Sequence, residues 1–301
     1  MNRWIKAARL RTLPLALSSI ALGGMLASVT PGFDPWVLAM AILTTIFLQV
    51  LSNFANDYGD YVSGVDLKDR VGPQRALQSG AITKEAMKKA LYVMGALSFL
   101  SGLTLLALAY ANGLETESFV FLALGIGAIA AAINYTVGKN PYGYSGFGDL
   151  FVFIFFGLVG VGGSFFLASS GIWDWSLLMP ASAIGLLSSA VLNLNNMRDA
   201  EKDEQAGKRT LVVQIGLANA KRYHLVLLFL PFVLMAIFFF QNEASIEHHF
   251  YIVALPMMGR NGLTVIKTPD PARLDPELKK VAIGTFLFSL LAGLGWILEY
   301  S

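Results

Sequence analysis

The stretch WVLAMAILTTIFLQVLSNFANDYGD, residues 36–60, decides how this chain is read. Residues 36–55 carry no charged side chain. As an α-helix rising about 1.5 Å per residue, a run of that length crosses the ~30 Å hydrocarbon core of a bilayer. The same stretch then delivers Asn53, Asn56, Asp57 and Asp60 within about two helical turns. A span that ends in a knot of oxygen donors carries its chemistry at the membrane face.

Comparable apolar windows recur at 12–29, 88–111, 117–136, 147–169, 174–196, 222–240, 247–266 and 281–298, nine with the run at 36–55. The 301 residues are 55% hydrophobic and 14% charged, against about 25% charged in soluble domains. The fold class expected is all-α: a polytopic membrane protein with about nine transmembrane helices around a central cavity, capped by cytoplasmic loops, in a single domain over residues 1–301. Met1 to Ser28, basic and then apolar, superficially resembles a secretory leader. It is read instead as the first membrane helix, because Pro14 interrupts the run and the later spans need an anchor. A net charge of +2, scattered among apolar spans, gives no footprint for nucleic acid. The absence of cysteine removes disulfides, thiolate catalysis and Cys-ligated zinc, so any metal must sit on oxygen or imidazole ligands.

Lys and Arg fall on one side of this scheme. Arg3, Lys6, Arg9 and Arg11 precede the first span, and Lys68, Arg70, Arg75, Lys84, Lys88 and Lys89 follow the second. Lys139, Arg198, Lys202, Lys208, Arg209, Lys221, Arg222, Lys267, Arg273, Lys279 and Lys280 occupy later loops of that side. The alternate loops hold Asp34, Glu115, Glu117, Asp174, Glu243 and Glu247, with no Lys or Arg, and Arg260 alone lies within a span. Cytoplasmic loops are the Lys/Arg-rich ones. The expectation is a multi-pass protein of the inner (cytoplasmic) membrane, N-terminus cytoplasmic and C-terminus outside, with its site at the cytoplasmic mouth.

Two acidic clusters stand at that mouth. Asn53 and Asp57 are four apart, and Asn56, Asp57 and Asp60 share a turn; Asn195, Asp199 and Asp203 step by four, one stripe over about 12 Å of helix. Carboxylates so close repel, and burial at a span adds a penalty of up to about 2.5–3.5 kcal/mol each at mid-bilayer. A hard divalent cation offsets both. Magnesium uses one or two protein carboxylates and fills its remaining positions with water and phosphate oxygens, so two stripes flanked by Lys and Arg suit a metal-bridged diphosphate. Helix capping is the blander explanation of Asp and Asn at helix ends. It does not call for a second cluster that repeats the Asn four residues before the Asp.

These residues carry a resemblance to the UbiA superfamily of intramembrane aromatic prenyltransferases. The first motif of that superfamily is matched by Asn56, Asp57 and Asp60, its Asp-x-x-x-Asp motif by Asp199 and Asp203, and its Tyr-x-x-x-Lys pattern by Tyr135 and Lys139. The stretches 7–14, 51–60, 69–75, 195–199 and 207–211 are most similar to the branch that prenylates 1,4-dihydroxy-2-naphthoate. The resemblance runs from Trp4 to the ninth span. It implies transfer of a polyprenyl chain from its diphosphate to an aromatic acid, with loss of diphosphate and carbon dioxide, and Mg2+ as cofactor. The implied metal ligands are Asp57, Asp60, Asp199 and Asp203, aided by Asn53. Asn56, Asn195, Lys68, Arg70, Arg75, Lys139 and Lys208 are implied around the diphosphate, Tyr135 beside the allylic carbon through its ring or on the diphosphate through its hydroxyl, and Arg9 or Arg11 against the acceptor carboxylate.

Other acceptors, such as 4-hydroxybenzoate, stay open at this point. A secondary transporter is the alternative outside enzymology, but it calls for acidic residues near span centres. Asp66 and Asp69 are as readily loop residues as clamp supports. His224, His248 and His249 are assigned no role. The aromatic runs 151–156 and 238–240 are read as lipid-facing or core packing rather than a substrate cage, and Gly157, Gly160, Gly162 and Gly163 as close helix packing or as room for the tail, packing being the commoner reason.

Overall fold

A computed structural model describes residues 3–64, 74–113 and 115–300. These residues form helices and turns, with no strand among them. The chain begins with a short α1 (Arg3–Ala8), a left-handed Arg9 (φ 48°) and a 3-10 turn, then enters α2 (Leu13–Ala27). Pro14 does not break that span. It sits in the first turn, where its missing N–H was never needed. Asp34 caps α3 (Pro35–Val62), accepting from the backbone N–H of Trp36 at 2.8 Å and Val37 at 3.3 Å, with Pro35 fixing the entry angle. Hydrogen bonding to Asn112 and to those two amides holds the Asp34 carboxyl below its usual range.

Thr83 caps α4 (Lys84–Ala111), and α5 (Glu115–Asn134) follows. The next span, Gly148–Ala168, is composite: α6 (Gly148–Val152), an eleven-residue π-helical segment Phe153–Gly163, and α7 (Ser164–Ala168). After α8 (Leu178–Gln205) comes α9 (Leu211–Gln241), capped by Thr210 and interrupted at Gly216, whose φ of 77° lets a first turn dock before the span proper. The last elements are α10 (Leu255–Lys267) and α11 (Asp275–Tyr300).

Eight of these helices are long and apolar enough to cross a membrane. The window at 247–266 is built differently, as a 3-10 piece Phe250–Ala254 running into α10, with Pro256 in its first turn. At about 2.0 and 1.5 Å per residue the two pieces together rise about 30 Å, so this stretch also has the length of a span.

Burial ranks the helices. In α8, 67% of the apolar window is buried, against none in α5. α8 is the central post and α5 a peripheral wall. The π segment approaches α8 and α2 closely: a Cβ on Gly157 would lie 2.5 Å from the Ala181 carbonyl oxygen, and one on Gly160 2.7 Å from Ser19 Cβ. Those glycines are packing positions, as the sequence reading has it. A second, smaller core joins Ala7, Ala8, Phe54, Ala76, Leu77, Ile82 and Met87. It clamps the segment after Gln74 against α1, α3 and α4, which fixes where Arg75 can reach.

Candidate active site

Both acidic stretches open on one cavity of about 1290 Å³. Asn53, Asn56, Asp57 and Asp60 reach it from the C-terminal end of α3, and Asn195, Asp199 and Asp203 from that of α8. Arg9, Arg11, Arg75, Tyr135 and Lys208 line it as well. Lys139 does not: it is exposed and outside the lining, because the chain turns away through Gly138 at φ 120° before it. Lys68, Arg70, Asp66 and Asp69 lie outside the described residues.

The cavity is charged at one end and apolar along its length. Asp57 and Asp60 are 1% and 4% exposed, although both lie on the cavity wall. Asp60 accepts from Arg75 and from the Tyr144 hydroxyl, and Lys208 Nζ lies 3.4 Å from its Oδ1. That same ammonium is 3.3 Å from Asp203 Oδ1, so one side-chain cation serves both acidic clusters. Lys208 also sits 4.3 Å over the Tyr144 ring. Arg75 donates to the Asn56 carbonyl oxygen at 2.6 Å, tying the loop to the end of α3. The Asn53 amide donates to the Ala8 carbonyl oxygen at 2.9 Å and to Thr12 Oγ1 at 3.0 Å, so it pins the N-terminal segment, with Arg9 and Arg11, over the mouth.

Asp199 is held differently. The buried guanidinium of Arg198 grips both its oxygens, Nε to Oδ1 at 2.9 Å and Nη2 to Oδ2 at 2.6 Å. Nη2 also reaches Asn195 Oδ1 at 2.7 Å, and Nη1 reaches Asp275 Oδ1 on α11 at 2.5 Å.

Tyr135 stands at the junction of the charged and apolar parts. Its ring fits a slot that glycines keep open: a Cβ on Gly143 would lie 2.8 Å from its Cε2, and one on Gly148 3.4 Å from its hydroxyl. Burial, then the Asp149 carboxylate, pushes its phenol well above the ordinary range, and the hydroxyl stays protonated. Burial does the same to Tyr144, reinforced by Asp60. From Tyr135 an aromatic file runs up the wall: Tyr142 at 5.3 Å, Phe151 stacked on Tyr142 at 4.1 Å, and Phe155 at 6.2 Å.

Phe151, Phe155 and Phe156 line the cavity, which corrects their reading as lipid-facing or core residues. For Phe155 and Phe156 the π segment is the reason, since i→i+5 bonding changes which positions share a face; Phe151 precedes it in α6 and stacks on Tyr142. Phe238 and Phe239 are core, and Phe240 is exposed. His224 bonds Asn261 at 2.8 Å in the interior and His248 pairs with Glu299, both away from the cavity lining.

Tyr144, Arg198, Thr136 and Asp275 were not singled out from the sequence as site residues. Thr136 Oγ1 donates to the Ala55 carbonyl oxygen at 3.0 Å and lies 3.3 Å from Asn56 Oδ1. The close pass of Gly59, where a Cβ would meet Thr136 Oγ1 at 2.5 Å, makes the contact possible. Only the position of Arg198 inside the second cluster was a signal; the others arrive by tertiary contact.

The donor set fits a divalent cation with a phosphate ligand. It is all oxygen, it is split between two helix ends, and its buried charges draw Arg and Lys to themselves. Among the described residues no three Asp, Glu or His side chains form a metal cage by themselves, so a cation here would need water or phosphate oxygens to complete its shell.

The model of the UbiA prenyltransferase family matches residues 16–278. The chain is 43% identical, over 99% of its length and 96% of the relative's, to the 1,4-dihydroxy-2-naphthoate octaprenyltransferase of Haemophilus influenzae. It is 44% identical, over 98% and 95%, to the enzyme of that name from Escherichia coli. Among solved structures, a UbiA homolog from Archaeoglobus fulgidus bound to GPP and Mg2+ superposes with a TM-score of 0.64 at 17% identity, over 98% of this chain and 99% of that one. The apo structure of a UbiA homolog from Aeropyrum pernix K1 gives 0.66 at 16% identity, over 97% and 98%.

Proposed function

The chain belongs to the UbiA prenyltransferase family, and from that premise we propose that its cavity is the active site of a 1,4-dihydroxy-2-naphthoate polyprenyltransferase. The enzyme transfers a polyprenyl chain from polyprenyl diphosphate to the naphthoate ring, with loss of diphosphate and carbon dioxide, giving the hydroquinone demethylmenaquinol, whose oxidation to the quinone is a separate step. The observation that carries the reading is a single cavity with both acidic helix ends, reached by one lysine, at its polar end and an aromatic and aliphatic wall beyond.

The diphosphate belongs at the polar end. Asp57, Asp60, Asp199 and Asp203, with Asn53, are the residues that would hold Mg2+. The metal supplies Lewis-acid stabilisation of the departing diphosphate oxygens, where charge develops in the transition state. Arg75 and Lys208 give up part of their hold on Asp60 and Asp203 and turn their donors to phosphate oxygens, which Arg can meet as a planar fork and Lys as a point charge. The main-chain carbonyl of Asn56 orients Arg75, and the Asn195 side chain orients Arg198. Tyr135, neutral and slotted between glycines, presents its ring to the allylic carbon as the bond to oxygen lengthens and positive charge appears there. The electron-rich acceptor ring attacks that carbon, forming the carbon–carbon bond as the diphosphate leaves, and the carboxyl group departs as carbon dioxide. Arg9 and Arg11, which line the cavity before α2, would pair with that carboxylate.

The apolar length of the cavity takes the tail. Each methylene removed from water there is worth about 0.8 kcal/mol, which is why donor and product stay in lipid and the enzyme is a multi-pass membrane protein. We place it in the inner membrane with the N-terminus cytoplasmic, on the strength of the Lys/Arg asymmetry. A reporter fused after Ser301 reads as non-cytoplasmic; a cytoplasmic signal breaks that orientation. For the acceptor, purified enzyme in competition between dihydroxynaphthoate and 4-hydroxybenzoate prefers the former and releases carbon dioxide. Preference for the latter moves the acceptor assignment, and transfer to neither removes the reading.

A further inference from the structure

Asp275 lies outside both acidic motifs, at the first residue of α11, yet it touches the machinery of the second one. Arg198, whose side chain is 2% exposed, makes four hydrogen bonds: two to Asp199, one to Asn195 and one to Asp275. A guanidinium does not deprotonate in a protein, and a buried charge keeps its place only with partners. The bidentate grip takes one acceptor position on each oxygen of Asp199, so a cation that takes Asp199 competes with Arg198 for its charge and weakens that hold. When it does, the arginine needs a second anion within reach. Asp275 is that anion. The three groups carry one positive and two negative charges, which leaves one negative charge to attract the metal.

We propose that Asp275 is a positioning residue that sets the metal affinity of Asp199 by giving Arg198 an alternative partner. The inference rests on the metal-binding reading of the acidic clusters. It assigns α11 a part in the reaction, through a contact between residues 77 apart in sequence. With Asp275 neutral, Arg198 commits wholly to Asp199, the net charge of the trio falls to zero, and Mg2+ competes poorly.

The test is the Mg2+ dependence of Asp275→Asn, read in two ways: the concentration for half-maximal prenyl transfer, and that for half-maximal thermal stabilisation of the purified protein in the presence of inorganic diphosphate. Both rise about tenfold, the size of a direct coupling between neighbouring charges, while kcat at saturating Mg2+ stays near wild type. Asp275→Glu restores both midpoints. In an Arg198→Gln background, Asp275→Asn adds nothing to the thermal-shift midpoint. Unchanged Mg2+ midpoints overturn the inference. So does a variant that melts lower without metal and loses kcat equally at every Mg2+ concentration, since Asp275 then merely fastens α11 to α8. A shift that persists without Arg198 overturns the relay. If the wild-type protein itself ignores Mg2+, the metal reading of the clusters fails first.

Discussion

The two acidic clusters share a spacing and differ in who balances them. At the end of α3, the counter-charges of Asp60 come from far along the chain: Arg75 from the next loop and Lys208 from beyond α8, with the Tyr144 hydroxyl as a neutral donor. At the end of α8, Asp199 is balanced by its own neighbour, Arg198. The first cluster is therefore electrostatically complete only when three connections have folded over it. The second arrives with a partner already on its helix. Lys208, within 3.4 Å of Asp60 and 3.3 Å of Asp203, joins the two halves. A diphosphate that draws on Arg75 and Lys208 acts chiefly on the first half, and metal capture from Arg198 acts on the second.

The largest effect that follows is in the carboxylates. Asp57→Asn lowers kcat/KM for prenyl transfer by about 10³-fold, at the upper end of what removing one group that stabilises transition-state charge costs. Asp199→Asn lowers it by less, about 10²-fold at the same Mg2+ concentration. The difference arises because Arg198 keeps Asp275 and Asn195 after the loss. Steady-state rates on membranes normalised for inserted protein make the comparison. Equal losses at the two positions break the asymmetry argued here.

The sequence made the spans legible because lipid imposes one rule, about twenty apolar residues per crossing, and nearly every window obeys it. It made Asp57, Asp60, Asp199 and Asp203 legible as one site because helical spacing puts each pair on a face and both pairs lie at ends of spans on the same predicted side. Two kinds of information were out of reach. The π segment at Phe153–Gly163 has no composition of its own, so the inward turn of Phe155 and Phe156 could not be projected from a 3.6-residue repeat. Contacts across long sequence separations were also hidden. Tyr144 meets Asp60 across 84 residues and Arg198 meets Asp275 across 77, and no local pattern marks either tyrosine or aspartate. Lys139 shows the converse, a residue whose spacing from Tyr135 is helical in sequence, although α5 ends at Asn134 and the chain turns away through Gly138 before Lys139.

Tyr144 gives the finest test of the first cluster. Tyr144→Phe keeps the ring beneath Lys208 and removes only the hydroxyl that donates to Asp60. Asp60 retains Arg75 and Lys208, so the loss is that of one net hydrogen bond, about 1 kcal/mol, or about fivefold in kcat/KM. The phenol is raised above its ordinary value by burial and then by the Asp60 charge. A raised folded-state value means the proton stays on through the range in which a free tyrosine would lose it, about pH 10, and the donor is lost only above that range. The pH–rate profile of the wild-type enzyme accordingly shows no tyrosine inflection between pH 7 and 10, and Tyr144→Phe lowers the whole curve without changing its shape. A wild-type rate that falls toward the Phe variant's as pH approaches 10 would mean that Tyr144 ionises in the ordinary range, that Asp60 is not beside it, and that the first cluster lacks the long-range partner which sets it apart from the second.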